Sequence, residues 1–203
     1  MKTIEAINLN KLKDEAYQNA VEHGWHDEDL SDEHFLCLVI SELMEAVQAE
    51  RKGKRSDVAK FNEWQGNNIP FSEETRVRRF QEDFEAYIKD SVEDELSDVC
   101  IRMLDLAGLL GVSLLGVKFP LEIKEETYKD KSQNTFTEWC YNLTRFIASY
   151  NECHITTLQF FVNILQEVFI MSKIKGFDLL WHIEQKMKYN RTRPRMHGNN
   201  RAG

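Results

Sequence analysis

Apolar residues recur with the period of a helix along most of this chain, and few residues interrupt that pattern. The 203 residues include only 9 Gly and 3 Pro, the two residue types that most often break a helix. No run alternates polar and apolar side chains over the length of a strand. We therefore expect an all-α fold, an antiparallel helix bundle that forms a single domain over residues 1–203.

The apolar pattern divides the chain into helical segments joined by irregular ones. Helices are predicted over residues 3–23, 35–49, 73–90, 92–110, 136–149, 155–173 and 177–190. Ser31 or Asp32 is a candidate cap for the second of these helices, and Ser72 is one for the third. Whether the third and fourth helices are continuous stays open. Irregular segments are expected over 51–71, over 111–135 with one short helix, and in a basic tail over 191–201.

The charge of the chain limits what it can bind. Its formal net charge is −8, whereas a protein that grips a nucleic-acid backbone needs basic surface. An acidic chain can still bind a single nucleotide through metal ions, because bound cations reverse the local charge. We expect no nucleic-acid polymer as a partner.

No membrane segment, secretion signal or zinc motif stands out. The longest apolar run, 106–117, is broken by glycines and is too short to cross a bilayer. Cys37 and Cys100 lie among aliphatic residues and are expected in the core, while Cys153 and His154 alone are too few for zinc. The N-terminus lacks an apolar central stretch. We expect a cytoplasmic protein with no membrane partner.

Two acidic residues interrupt the apolar helix predicted over 35–49. Glu42 and Glu45 are three positions apart, which places both side chains on one helical face. Because apolar residues surround them, we expect this helix to be buried almost all round. Two ionised carboxylates there would repel each other and lose hydration, and a divalent cation would remove both costs. A surface patch on an amphipathic helix is the alternative.

A second acidic pair, Glu95 and Asp98, has the same spacing on the helix predicted over 92–110. It shares a stripe with Arg102 and Asp105, which is equally typical of a solvated face with an Asp98–Arg102 salt bridge. Together the two pairs offer four oxygen ligands from two helices, a donor set that suits Mg²⁺. A di-iron site is disfavoured because no Glu has a His three positions later.

With these residues identified, the chain resembles the MazG-like members of the all-α NTP pyrophosphohydrolase superfamily. The family signature, ExxE on one helix and ExxD on the next, matches Glu42-Leu-Met-Glu45 and Glu95-Leu-Ser-Asp98. The surrounding sequence extends the match, in the expected order, to GWHDE at 24–28, SELMEAVQAERKGK at 41–54, DELSDVCIRMLDLAGLLGV at 94–112 and KMKYNRTRPRMHG at 186–198. On this resemblance residues 1–112 form the metal-binding half.

The chain departs from compact relatives by two insertions. Residues 52–90 lengthen the gap between the two acidic helices, and residues 113–175 separate the second of them from the terminal helix and basic tail at 176–203. Part of the second insertion resembles a degraded acidic helix, with Gln166 and Glu167 where an acidic pair would stand. An internal duplication and two ordinary packing helices are both open interpretations.

The resemblance implies hydrolysis of a nucleoside triphosphate to a monophosphate and pyrophosphate, with a possible house-cleaning role. It implies Mg²⁺, with Mn²⁺ as a substitute, held by Glu42, Glu45, Glu95 and Asp98. Glu42 or Glu45 would act as general base. The phosphate-binding residues would be Lys186, Asn190, Arg193 and His197, although basic residues there also complement a helix dipole.

Two expectations remain: which residues contact the base and sugar, and whether the chain forms a dimer. Trp25 and His26 flank a helix break, where they could contact the base and sugar; an indole packed between helices is the alternative. Compact relatives assemble because few helices cannot close their own core, so a homodimer is expected. A non-catalytic nucleotide-binding module and a helical scaffold for protein partners are the competing functions.

Overall fold

The computed structural model describes residues 8–63, 72–117, 125, 126, 129 and 133–195, and within them the regular elements are helices without strands. The all-α prediction is therefore confirmed. No helix in these ranges is long and apolar enough to cross a membrane. In chain order the helices are α1 (Leu9–Glu22), α2 (Asp32–Arg51), α3 (Val58–Asn62), α4 (Glu73–Tyr87), α5 (Val92–Leu109), α6 (Phe136–Ala148), α7 (Thr157–Lys175) and α8 (Leu179–Arg191).

Side-chain caps fix where the helices begin. Ser31 accepts a hydrogen bond from the backbone N–H of His34 at the start of α2, and Ser72 caps α4 in the same way. Thr135 and Glu138 form a complete capping box on α6. Of the two candidate caps proposed for α2, Ser31 is the one used, and the candidate cap of α4 is confirmed.

Helix α5 is the centre of the molecule, and most of its side chains are buried, polar ones included. It packs against α1, α2, α7 and α8. Helix α2 packs between α5 and α6 and keeps an exposed face that includes Ser41, Met44, Glu45 and Gln48. The sequence interpretation was wrong about α2, which it expected to be buried almost all round. For α5 it left a solvated face open as one alternative, and the structure does not show that face. Periodicity records how apolar a helix is but not how many neighbours surround it.

The predicted linker over 51–71 contains a helix, α3, that belongs to a second apolar cluster. Phe61 of α3 packs edge-on against Phe80 of α4, with ring centroids 5.7 Å apart. Phe84 of α4 stacks on Tyr189 of α8 at 4.4 Å. The insertion therefore packs against the terminal helix, and the remainder of that linker, 64–71, lies outside the described residues.

Helices α4 and α5 are separate rather than continuous. Asp90, between them, has a left-handed backbone with φ of 57°, a conformation that non-glycine residues adopt infrequently. The backbone N–H of Val92 donates to the carbonyl of Lys54 at 3.2 Å. The chain therefore turns sharply before α5 begins.

The cysteine prediction is half correct. Cys100 is buried on α5, as expected. Cys37 is exposed instead, because it lies on the outward face of α2 and not on the face that meets α5. The sequence interpretation placed it in the core because its neighbours along the chain are aliphatic, and that reasoning ignored the direction of the side chain.

Gly108 lets α1 approach α5 closely. A Cβ atom built on Gly108 would lie 2.4 Å from Cβ of Tyr17 on α1, far inside van der Waals contact. We expect Gly108→Ala to lower the free energy of unfolding by about 1–3 kcal/mol through overpacking, measured by urea denaturation. Helix propensity alone predicts the opposite sign, a gain of about 1 kcal/mol. A stabilised variant would contradict the close approach.

Candidate functional site

A cavity of about 680 Å³ opens between α2, α5, the end of α8 and the loop that joins α1 to α2. Eight carboxyl groups line its walls, and four of them are the predicted metal ligands Glu42, Glu45, Glu95 and Asp98. Basic side chains share the same walls, namely Lys89, Arg102, Lys186 and Arg193. The cavity therefore combines acidic groups that could hold cations with basic groups that could hold anions.

Three of the four carboxylates converge. Glu42, Glu95 and Asp98 each offer an oxygen, and these oxygens all lie within 4.8 Å of one another. Glu42 is 8% exposed and Glu95 is 5% exposed. Mg²⁺ binds oxygen ligands at about 2.0–2.1 Å in an octahedron, so small side-chain movements would bring this carboxylate triad onto one ion. The residues present fit a hard divalent cation.

Glu45 is placed differently from the carboxylate triad. It lines the same cavity but is exposed, and it accepts a hydrogen bond from Ser41 Oγ at 3.4 Å. It is not part of the group of oxygens that converge within 4.8 Å. The structure thus brings three of the four predicted ligands together and leaves the fourth at the edge.

Burial makes the carboxyl groups of Glu95 and Glu42 weak acids. Desolvation, with Asp94 and Asp98 nearby, raises the pKa of Glu95 to about 9. Desolvation and then Asp98 raise the pKa of Glu42 to about 7, against the opposing charge of Arg102. At neutral pH Glu95 is therefore protonated and Glu42 about half protonated, and a divalent cation can take the place of these protons.

These pKa values predict how stability depends on pH. The folded protein holds protons on Glu95 and Glu42 that the unfolded chain has released, because both carboxyls have an ordinary pKa of 4.5. Stability without metal must then fall as pH rises from 6.5 to 8. Desolvation lowers the pKa of the buried His182 imidazole from 6.5 to about 4, so its opposing contribution, which rises with pH, is mostly complete by pH 6.5.

The measurement is thermal unfolding in EDTA at both pH values, and we expect a melting temperature several degrees lower at pH 8. Adding Mg²⁺ should restore more stability at pH 8 than at pH 6.5, because metal binds the deprotonated carboxylates. A melting temperature that rises with pH in EDTA would contradict the burial of protonated Glu95.

Two basic side chains pair with the carboxylates in this structure. Nζ of Lys186 lies 2.9 Å from an oxygen of Asp94 and 2.7 Å from an oxygen of Asp98. Nε of Arg102 donates to Glu42 at 3.0 Å. The Asp98–Arg102 pair considered from the sequence is thus replaced by pairs between helices. Lys186 is only 6% exposed. Its charge is therefore buried, and the two neighbouring carboxylates compensate for the lost hydration.

The other predicted phosphate-binding residues lie at the end of α8. Arg193 lines the main cavity, and Asn190 lines an adjoining chamber of about 90 Å³ between α1, α5 and α8. Gln81 of α4 donates to the carbonyl oxygen of Thr192 at 3.2 Å, which ties the inserted helix to this corner. His197 lies outside the described residues.

Of the two residues predicted to contact the base, Trp25 lines the cavity and His26 does not. Trp25 is half-buried and lines both the cavity and the chamber. His26 is not among the lining residues; its ring lies 5.2 Å from that of Tyr17 and 5.4 Å from that of Phe35. Its Nε2 lies 2.7 Å from an oxygen of Asp105, so His26 supports a residue that does line the cavity.

The sequence interpretation missed the roles of Asp94 and Asp105. Asp94 is 1% exposed. It accepts hydrogen bonds from Lys186 Nζ and from the backbone N–H of Asp90, each at 2.9 Å. Asp105 was noted on the acidic stripe without a function. Spacing could have identified them, because Asp94 is four residues before Asp98 and Asp105 is seven after it, on the same helical face.

The segment interpreted as a possible second copy has no acidic cluster among its described residues. Glu167 of α7 accepts a hydrogen bond from Trp139 Nε1 at 3.3 Å. Gln166 and Glu167 line a separate cavity of about 310 Å³ between α6 and α7. Among the described residues, the acidic groups that could hold a cation therefore lie on α2, on α5 and in the turn before α5.

Comparison with known proteins adds no assignment. No protein-family model matches the chain. Neither a curated protein nor a solved structure matches it. What the chain does must therefore be argued from the cavity itself and from the motifs that line it.

Proposed function

We propose that this chain is a Mg²⁺-dependent nucleoside triphosphate pyrophosphohydrolase with a MazG-like antiparallel bundle. It would convert a (deoxy)nucleoside triphosphate and water to the monophosphate and pyrophosphate. One observation carries the proposal: the convergence of Glu42, Glu95 and Asp98 within 4.8 Å in a cavity that also holds basic and aromatic side chains. Packing alone gives no reason to enclose three carboxyl groups together.

Glu42, Glu95 and Asp98 would hold the cations, with Glu45 available at the edge of the cavity. Bound magnesium would neutralise charge on the phosphate oxygens and activate water for attack. Without it a triphosphate would be repelled by these same carboxylates. The enclosed acidic surface thus favours a substrate that arrives with its metal ions.

The basic residues would bind the polyphosphate. Arg193, Lys89 and Lys186 line the cavity beside the carboxylate triad. Two carboxylates orient the ammonium of Lys186. If Asp98 held a metal ion, that ammonium would be available to a phosphate oxygen. Asp94 then remains its anchor, at 2.9 Å.

The general base would be a carboxylate that is poised to take a proton near neutral pH. The pKa of Glu42, raised by burial to about 7, suits a group that must accept a proton and then release it. Arg102 orients the Glu42 carboxylate by donating to Oε1. Glu45 is the other candidate, because it lies on the next turn of α2 and faces the same cavity.

The test is product analysis with Mg²⁺ and a panel of nucleoside and deoxynucleoside triphosphates that includes dUTP, dCTP and oxidised and methylated bases. We expect pyrophosphate and monophosphate in equal amounts, with Mn²⁺ able to replace Mg²⁺. A house-cleaning role predicts preference for one non-standard or surplus nucleotide. Release of inorganic phosphate and a diphosphate, or no turnover, would contradict the proposal.

A non-catalytic nucleotide-binding module is the second candidate. The pairing of Lys186 and Arg102 with the carboxylates favours it, because those pairs neutralise Asp98 and Glu42 without any metal ion. It predicts that a Mg²⁺–nucleotide complex binds and is recovered intact. A helical scaffold for protein partners predicts no tight divalent-metal binding in calorimetry.

The proposed homodimer is tested by sedimentation, and the mass of a single chain would overturn it.

A further inference from the structure

Asp105 lies where the nucleoside of the proposed substrate would lie. It shares one face of α5 with Asp98 and lines the same cavity. Seven residues of α-helix span about 10.5 Å, so the carboxylate triad and Asp105 are separated by roughly the length of a nucleoside. With phosphates at the carboxylate triad, a base that extends along α5 would reach Asp105.

The carboxylate of Asp105 is fixed in place. Asp105 is 7% exposed, and Nε2 of His26 lies 2.7 Å from its Oδ1. The rings of Tyr17 and Phe35 pack near the imidazole, with centroids 5.2 and 5.4 Å away. His26 therefore acts as a positioning residue that engages Oδ1 of Asp105, and Oδ2 is the oxygen that would accept from a base.

Trp25 and Asp105 both line the cavity and its adjoining chamber. Bases commonly stack on aromatic side chains and are read along their edges by hydrogen bonds. A carboxylate can only accept, so it attracts the exocyclic amino group of cytosine or adenine. It repels the carbonyl oxygen that uracil and thymine present at the corresponding position.

We propose that Asp105, oriented by His26, selects substrates whose base carries an exocyclic amino group over those that carry a carbonyl there. This inference rests on the proposed pyrophosphohydrolase function. It names the substrate class as nucleoside triphosphates of cytosine or adenine. Direct readout of one amino group is expected to discriminate roughly ten- to a hundredfold in kcat/KM.

The first experiment uses the unmodified protein. Values of kcat/KM for dCTP and dATP are compared with those for dUTP and dTTP, and N4,N4-dimethyl-dCTP serves as a cytosine that has lost its donors. We expect a preference for at least one amino base, and loss of that preference on dimethylation. Equal rates across the panel would overturn the inference. Absence of pyrophosphate from every substrate would instead reject the proposed function.

The second experiment changes the acceptor. Asp105→Asn has the same shape, but its amide can also donate to a carbonyl, so the ratio of amino to carbonyl substrates should fall toward one. Asp14→Asn, on the exposed face of α1, is the matched control and should keep the parent ratio. His26→Gln should lower the ratio partly. An unchanged ratio in folded Asp105→Asn would overturn the inference.

Discussion

Glu95→Gln is expected to reduce pyrophosphate release at least a hundredfold, the typical scale of damaged electrostatic or metal-assisted catalysis, while the metal-free protein stays as stable as the parent. Burial raises the pKa of Glu95 to about 9, so at neutral pH the metal-free carboxyl is already protonated. Glutamine has the same shape and charge as that form. It cannot become an anionic ligand, however, and metal-dependent activity should be lost selectively.

The measurements are steady-state pyrophosphate release and thermal unfolding with and without Mg²⁺. Glu184→Gln, on the exposed face of α8, is the matched control and should change neither. The same hundredfold loss is expected for Asp98→Asn and Glu45→Gln if all four acidic residues hold metal. Near-parent rates for folded Glu95→Gln would reject the assignment of the carboxylate triad.

Lys186→Met should cause the largest loss of stability, about 3–5 kcal/mol in the free energy of unfolding. The reason is that Lys186 neutralises Asp94 and Asp98, at 2.9 and 2.7 Å, in a buried setting. Methionine preserves the apolar stem and removes only the charge. Denaturant unfolding in EDTA measures the effect, and Mg²⁺ should stabilise the variant more than the parent because a cation replaces the lost ammonium.

Lys188→Met is the control for that substitution. Lys188 is on the same helix but exposed, with its ammonium 4.2 Å from the ring centroid of Phe80. Losing such an exposed cation–π contact should cost no more than about 1 kcal/mol. A Lys186→Met protein as stable as Lys188→Met would mean that the two acids do not depend on the lysine.

Local chemistry made much of the fold predictable. Apart from the short α3, the helices are long, rarely interrupted and capped by Ser, Thr, Asn or Asp, so their existence and approximate ends follow from the sequence. The spacing of Glu95 and Asp98 likewise places both on one face of α5 without any tertiary information. These inferences depend on residues within a turn or two of each other.

Features that depend on distant parts of the chain were not predictable in the same way. The sequence interpretation enclosed α2, whereas four neighbouring helices enclose α5. The pairs Lys186–Asp98 and Arg102–Glu42 join different helices, and no periodicity specifies such partners. His26 was expected to touch substrate because it lies at a helix break, yet its hydrogen bond to Asp105 depends on how the loop folds back onto α5.

The most direct test of the central claim is anomalous diffraction from crystals that contain Mn²⁺ and a nucleoside triphosphate with a non-hydrolysable link between its α and β phosphates. We expect a manganese peak within bonding distance of Glu42, Glu95 and Asp98, with the phosphates on the same ion. Manganese bound elsewhere, with these three side chains unchanged and still paired to Lys186 and Arg102, would contradict it.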